Sequence, residues 1–166
     1  MELKTALKKL ESNSKFKEWK KGNKDNYFSY AFTTIECETQ SGWQLGYYNK
    51  KSDKLTTFIL ENEDIKISPE EDVFKQPGMD VNEIDLKKLK LSLEFVLKKL
   101  ENVLKKDYPK EMVIKKVIIL QNLEKFGNVW NITCVSQSFN IINVKIDVEK
   151  GNIEENKLAS IFEFKK

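Results

Sequence analysis

The sequence predicts an α+β protein in which a helix-plus-antiparallel-sheet unit is built twice in tandem. Three observations carry that expectation. Between Ile141 and Val148 the side chains alternate strictly, with Ile142, Val144, Ile146 and Val148 on one face and Asn143, Lys145 and Asp147 on the other. This is the pattern of a strand with one face buried and one wet. Over residues 83–106, Leu86, Leu89, Leu93, Val96, Leu97, Leu100, Val103 and Leu104 form one helical stripe flanked by lysines. The third observation is order: helix, strands, a break, helix, strands. The expected division is 1–67 for the first unit, 68–82 for a connector and 83–166 for the second.

Leu3, Ala6, Leu7 and Leu10 recur at helical spacing, and Ser12-Asn13-Ser14 interrupts them. The interruption ends one helix and caps a second short one that carries Phe16 and Trp19. A lysine-rich loop follows, to Asn26. Strands are expected at 27–38, where Phe28, Tyr30 and Phe32 alternate with smaller residues, and at 43–48, where Trp43, Leu45 and Tyr47 oppose Gln44, Gly46 and Tyr48. The turn between them falls on Thr39-Gln40-Ser41-Gly42. Leu55 to Leu60 reads as a third strand and Ile65 to Ile67 as a short fourth.

Ser68-Pro69 and Gln76-Pro77-Gly78 break the pattern, which makes 68–82 a connector. The helix over 83–106 ends before Tyr108-Pro109, since a proline disfavours helix in the residue before it. Its stripe is a packing face first. Val113 to Leu123 is apolar enough for a sheet centre or a strand covered on both faces. Trp130, Ile132 and Cys134 share a face, and Ser136-Gln137-Ser138 turns the chain into the alternating strand, closing a hairpin. Asp147 invites a catalytic reading, but a carboxylate there also accepts hydrogen bonds from turn amides. Gly151 supplies the positive φ such a turn needs. Leu158 to Phe164, with Ile161, Phe162 and Phe164, reads as a last strand.

Composition bounds the chemistry. A chain of 166 residues buries about 70% of its extended surface, enough for a true core. All 29 basic residues are lysine, against 26 acids, for a net charge of +3. With no histidine, there is no imidazole base, no Ser-His or Cys-His pair and no histidine metal ligand. With no arginine, there is no bidentate fork for phosphate or guanine. No metal or cofactor is expected. Cys37 and Cys134 fall in different expected strands, outside any C-x-x-C. They are either two small buried thiols or, if those strands are neighbours, one disulfide. No signal peptide is visible, and no apolar run reaches the ~20 residues of a membrane span. The expected location is the cytoplasm.

At Ile146-Asp147-Val148-Glu149-Lys150-Gly151 the sequence resembles the PepSY-type domains of cystatin-like topology, a helix followed by strands that end in an Ile/Val-Asp-x-x-x-Gly turn. The resemblance covers roughly 84–155. The segments Gly46-Tyr47-Tyr48-Asn49 and Lys54-Leu55-Thr56-Thr57-Phe58 fit a diverged first copy. What the resemblance implies is a non-catalytic binding module, of a kind often suspected of binding or restraining peptidases. The expected partner is a protein of unknown identity, with no specific nucleic acid, and the chain a monomer or homodimer. Trp43, Tyr47 and Tyr48 are the candidate contact residues, with the core as the competing place for them. The alternative is a small enzyme or ligand-binding protein with a carboxylate-lined cavity. Its candidate acids are Glu61, Glu63, Asp64, Glu70, Glu71 and Asp72.

Overall fold

The computed structural model describes residues 1–61, 64–73 and 80–160. Two helices open the chain, α1 (Leu3–Ser12) and α2 (Ser14–Gly22). Asn13 separates them as expected. Its φ of −71° and ψ of 133° leave the helical region, and its Oδ1 accepts from the amides of Lys15 at 2.9 Å and Phe16 at 3.3 Å. A side-chain oxygen that satisfies two orphan amides both ends one helix and starts the next.

The strands of the first half are β1 (Tyr27–Glu36), β2 (Thr39–Gln40), β3 (Trp43–Asn49), β4 (Lys54–Glu61), β5 (Asp64–Ile67) and β6 (Glu71–Asp72). The second half holds α3 (Leu93–Asp107), then β7 (Val113–Leu123), β8 (Gly127–Ser136), β9 (Asn140–Asp147) and β10 (Ile153–Ser160). Every pairing is antiparallel.

Two sheets were expected, and the structure has one. Its order is β10-β9-β8-β7-β1-β3-β4-β5, with β2 paired to β1 and β6 to β4. The join is β1 against β7, in register from Tyr30↔Gln121 to Glu36↔Lys115. A strand edge left open inside a compact chain exposes unpaired amides and carbonyls, and pairing two such edges satisfies both. Nothing in the alternation pattern of either strand records which neighbour it takes.

All three helices lie on one face of this sheet. Leu3, Leu7, Leu10 and Phe16 from α1 and α2, and Leu93, Val96 and Leu100 from α3, enter the same core as Leu45, Phe58, Trp130 and Ile142. The expected boundary at 68–82 therefore does not divide the core. The helix layer is also tied at its centre. The Glu2 carboxylate accepts from the amides of Leu93 at 3.0 Å and Glu94 at 3.2 Å, so the start of the chain caps α3 together with Ser92. A carboxylate at a helix N-terminus meets both free N–H groups and the positive end of the helix dipole.

Several expectations change in detail. The helix over 83–106 shortens to Leu93–Asp107, with only a 3-10 turn at Leu86–Lys88 before it. Asp85 and Ser92 are the cause, since each accepts from an amide ahead of it and fixes extended backbone at its own position. Leu89 still packs in the core, whereas Leu86 is exposed. The first hairpin turns at Cys37-Glu38, both at positive φ (48° and 59°), rather than at 39–42. Cys37 is thus an exposed turn residue, not a buried strand residue. It is unpaired, as is the buried Cys134, whose thiol burial pushes up to about 11. β7 takes the sheet centre but is covered on one face, by Ile118 and Leu120. The last strand starts at Ile153, earlier than expected, and Ile161, Phe162 and Phe164 lie outside the described residues.

The Trp130–Gly151 hairpin forms as its alternation requires. Trp130, Ile132, Cys134, Ile142, Val144, Ile146 and Val148 are all buried. Asp147 serves the turn, accepting from the amides of Glu149 at 3.0 Å and Lys150 at 2.6 Å, and Gly151 sits at φ 75°.

Replacing Glu2 by Ala removes the remote cap on α3. The expected cost is about 1–2 kcal/mol, read as a lower urea midpoint at unchanged slope.

Candidate binding surface

With the helices gathered on one side, the opposite face of the sheet is left without a helix among the described residues. Its centre is apolar. Tyr30 and Phe32 of β1, Ile59 of β4, and Val117 and Ile119 of β7 are all half-buried there. The register brings Phe32 directly against Ile119, an aromatic and β-branched pair of the kind that stabilises sheets.

A bulge sets this arrangement. The register of β1 against β3 shifts between Phe28 and Tyr30. Phe28 therefore faces the helices, 5.6 Å from Tyr47, while Tyr30 and Phe32 face away from them. Alternation alone puts all three on one face, so the sequence gives no sign of Tyr30 and Phe32 as surface residues.

Tyr30 covers Gly46 on the neighbouring strand. A Cβ at Gly46 would lie 2.0 Å from the ring, and the Tyr30 hydroxyl is 2.8 Å from Thr57 Oγ1. The glycine makes room for the ring to lie flat across β3. At one end the chain from Asp80 returns over this face. The Tyr27 hydroxyl donates to Val81 O at 2.6 Å, and Asn122 Nδ2 to Glu83 O at 2.6 Å. Between this segment and Tyr30, Phe32, Leu55 and Ile119 is a hollow of about 330 Å³ with Asp80 at its rim.

Toward β10 the same face turns polar. Asn143 Nδ2 donates to Asn131 Oδ1 at 2.7 Å and to Thr133 Oγ1 at 3.0 Å, and Lys145 Nζ donates to Asn143 Oδ1 at 2.8 Å. Lys145 also pairs with Glu155, both largely shielded, and Lys157 reaches Glu155 at 2.7 Å. Hydrogen bonds from Lys145 and then Lys157 hold the Glu155 carboxyl down at about 2. The network is internally satisfied, which suits a rigid floor.

The candidate contact residues lie elsewhere. Trp43, Tyr47 and Tyr48 are 1%, 7% and 2% exposed, so none of them is available as a surface contact. Trp43 packs 6.4 Å from Trp130 and donates Nε1 to Met1 O at 2.8 Å. Tyr47 sits among Phe16, Trp19, Phe28 and Phe58. Burial raises its hydroxyl pKa. Tyr48 lies on the other face, against Tyr27, with its hydroxyl donating to Asp53. The core took these rings because each buries a large apolar area.

The candidate acids do not converge either. Glu61, Asp64, Glu70, Glu71 and Asp72 are exposed, with Glu61 paired to Lys66 and Asp72 to Lys54. Glu63 lies outside the described residues. Among the described residues, no group of three or more acids and cysteines gathers as a metal site, and no helix is long and apolar enough to cross a membrane.

Replacing Gly46 by Ala displaces the Tyr30 ring. It should cost about 1–3 kcal/mol and change the near-UV circular dichroism. Glu155 makes a pH prediction. Its folded pKa lies below the ordinary 4.5, so its contribution is full above that value and is lost as pH falls toward about 2. The urea midpoint of the natural chain should exceed that of Glu155→Gln at pH 6. The gap should close between pH 4.5 and 2.

No protein-family model matches the chain, and no curated protein matches it. Among solved structures, the chain is similar to a crystal structure described as a putative lipoprotein from Clostridium difficile 630. The TM-score is 0.56 and the identity 14%, over 87% of this chain and 90% of that one. At that identity the likeness shows a shared fold.

Proposed function

We propose that the chain is a non-catalytic binding module that takes a protein partner on the helix-free face of its sheet. The observation that carries this reading is the row of half-buried apolar side chains, Tyr30, Phe32, Ile59, Val117 and Ile119, on a face no described helix covers. Apolar surface gathered in one place on a folded domain marks a contact surface more often than chance exposure does.

The module is built of two PepSY-like, cystatin-like units. Strand order supports this. From the central β1–β7 pair, the first half runs outward as β1, β3, β4, β5 and the second as β7, β8, β9, β10. Each half is then a helical element followed by a meander, and the two are joined by their first strands. A peptidase is the partner class to which the PepSY resemblance points, met by a monomer or homodimer.

The competing reading is an enzyme with a carboxylate-lined cavity. Catalytic acids are usually held protonated near neutral pH by burial. Here every carboxylate with a resolved shift, namely Asp25, Glu94, Glu111 and Glu155, is lowered, and in each case a hydrogen bond that favours the charged form is the largest cause. That favours the binding reading.

We place the protein in the cytoplasm, a reading supported by the two unpaired thiols. The solved neighbour, described as a lipoprotein, favours a second reading in which the chain works outside it. Cell fractionation separates the two.

Phe32→Glu puts a charge at the centre of the proposed surface. Partner recovered by affinity capture from the native cell should fall at least about tenfold, with circular dichroism unchanged. Capture of the same partner at the same yield by a folded Phe32→Glu protein would contradict the assignment.

A further inference from the structure

The charge of this protein is not evenly spread. Residues 1–24 hold eight lysines and three glutamates, whereas the rest of the chain holds 21 lysines and 23 acids. The first two helices thus carry more than the whole positive balance. One of their three acids, Glu2, is turned inward onto the start of α3 and adds little to the outer surface.

Six of those lysines, Lys4, Lys8, Lys15, Lys17, Lys21 and Lys24, are exposed. Glu11 and Glu18 are the exposed acids among them. The ion pairs among the described residues lie elsewhere and involve lysines such as Lys54, Lys66, Lys98 and Lys145. None of the six makes one. Over the rest of the molecule lysines meet partners, while over α1 and α2 six of them project into solvent unpaired. Like charges crowded on adjacent turns repel, and an external anion relieves that repulsion.

We propose that the outer face of α1 and α2 is an electrostatic docking surface for an anionic lipid bilayer. Three features select this partner. The apolar sides of both helices are committed, with Leu3, Ala6, Leu7, Leu10 and Phe16 buried in the core, so the helices stay on the protein and the contact is by charge alone. No exposed aromatic ring stands among the six lysines, since Phe16 is buried and Trp19 packs on Tyr47 and Phe58. Base stacking, on which single-stranded nucleic acid binding relies, has no platform there. The cations are all ammonium groups, which act as point charges without the planar fork that reads phosphate or guanine geometry. Mobile anionic headgroups can gather beneath loosely spaced point charges, and each lysine near such a surface strengthens binding about fivefold.

The test is co-sedimentation of the full chain with vesicles of phosphatidylcholine alone and of phosphatidylcholine with 30% phosphatidylglycerol, at 50 mM and 500 mM salt. A single-stranded and a duplex oligonucleotide are titrated in parallel. The natural protein should bind the anionic vesicles at low salt and not the neutral ones. Binding should fall at least about tenfold at high salt, where screening shortens the reach of surface charge. The variant Lys4→Glu/Lys8→Glu/Lys15→Glu/Lys17→Glu, checked for fold by circular dichroism, should lose it by a similar factor. Lys54→Glu/Lys66→Glu should retain it, which guards against a loss caused by net charge alone. Failure to bind anionic vesicles at low salt overturns the proposal. So does undiminished binding by the helix variant, equal loss in both variants, or tighter binding to either oligonucleotide than to the vesicles.

Discussion

The structure depends on one seam, the pairing of β1 with β7. These are the first full strands of the two halves, and each would otherwise be an edge. Seven residue pairs close the seam, from Tyr30↔Gln121 to Glu36↔Lys115, with Glu36 and Lys115 forming an ion pair at 3.3 Å at its end. The ladder removes two open edges at once and makes one sheet of two meanders. Ala31 and Leu120, and Thr33 and Ile118, face each other across it on the helix side, so the seam lies beneath the core rather than outside it. The second tie is Glu2, which crosses the helix layer to cap α3. One link runs through backbone hydrogen bonds and the other through a charge on a helix end, and both join the halves near their shared centre.

That joining decides which surfaces are left over. Three helices on one face bury Trp43, Tyr47, Trp130 and the alternating residues of β9. The other face receives what the period of two sends there, which near the seam is apolar and toward β10 is a bonded net of amides, a lysine and a glutamate. A face of this kind has rigidity and area without a reactive group at its centre. The outer side of the helix layer is a different surface, dominated over α1 and α2 by unpaired ammonium groups. The two surfaces lie on opposite sides of the molecule, so contacts at one leave the other open.

Local signals in the sequence were faithful where local physics decides. The Asn13 break, the Trp130–Gly151 hairpin, the Asp147 turn and the Gly151 φ all follow from residue type and spacing, and all are found. The helix over 83–106 came out shorter because Asp85 and Ser92 divert the backbone through their own side chains, a contest that an apolar stripe does not reveal. Non-local facts were not legible. No feature of β1 names β7 as its neighbour. The bulge at Ser29 has no sequence mark, and it alone moves Tyr30 and Phe32 to the open face. The aromatic residues that caught attention, Trp43, Tyr47 and Tyr48, were drawn into the interior by the same ring area that made them candidates. Composition gave the clearest statement about chemistry, since the absence of histidine and arginine needs no coordinates.

Amide hydrogen exchange on the native chain tests the seam most directly. Amides of Ala31 and Thr33 in β1 and of Ile118 and Leu120 in β7 should exchange only through global unfolding, with equal protection that falls in parallel as urea is added. Protection that differs between the two strands, with one set released by a partial opening while the other persists, would mean that the halves fold as separate units and that the single sheet is not what holds the molecule together.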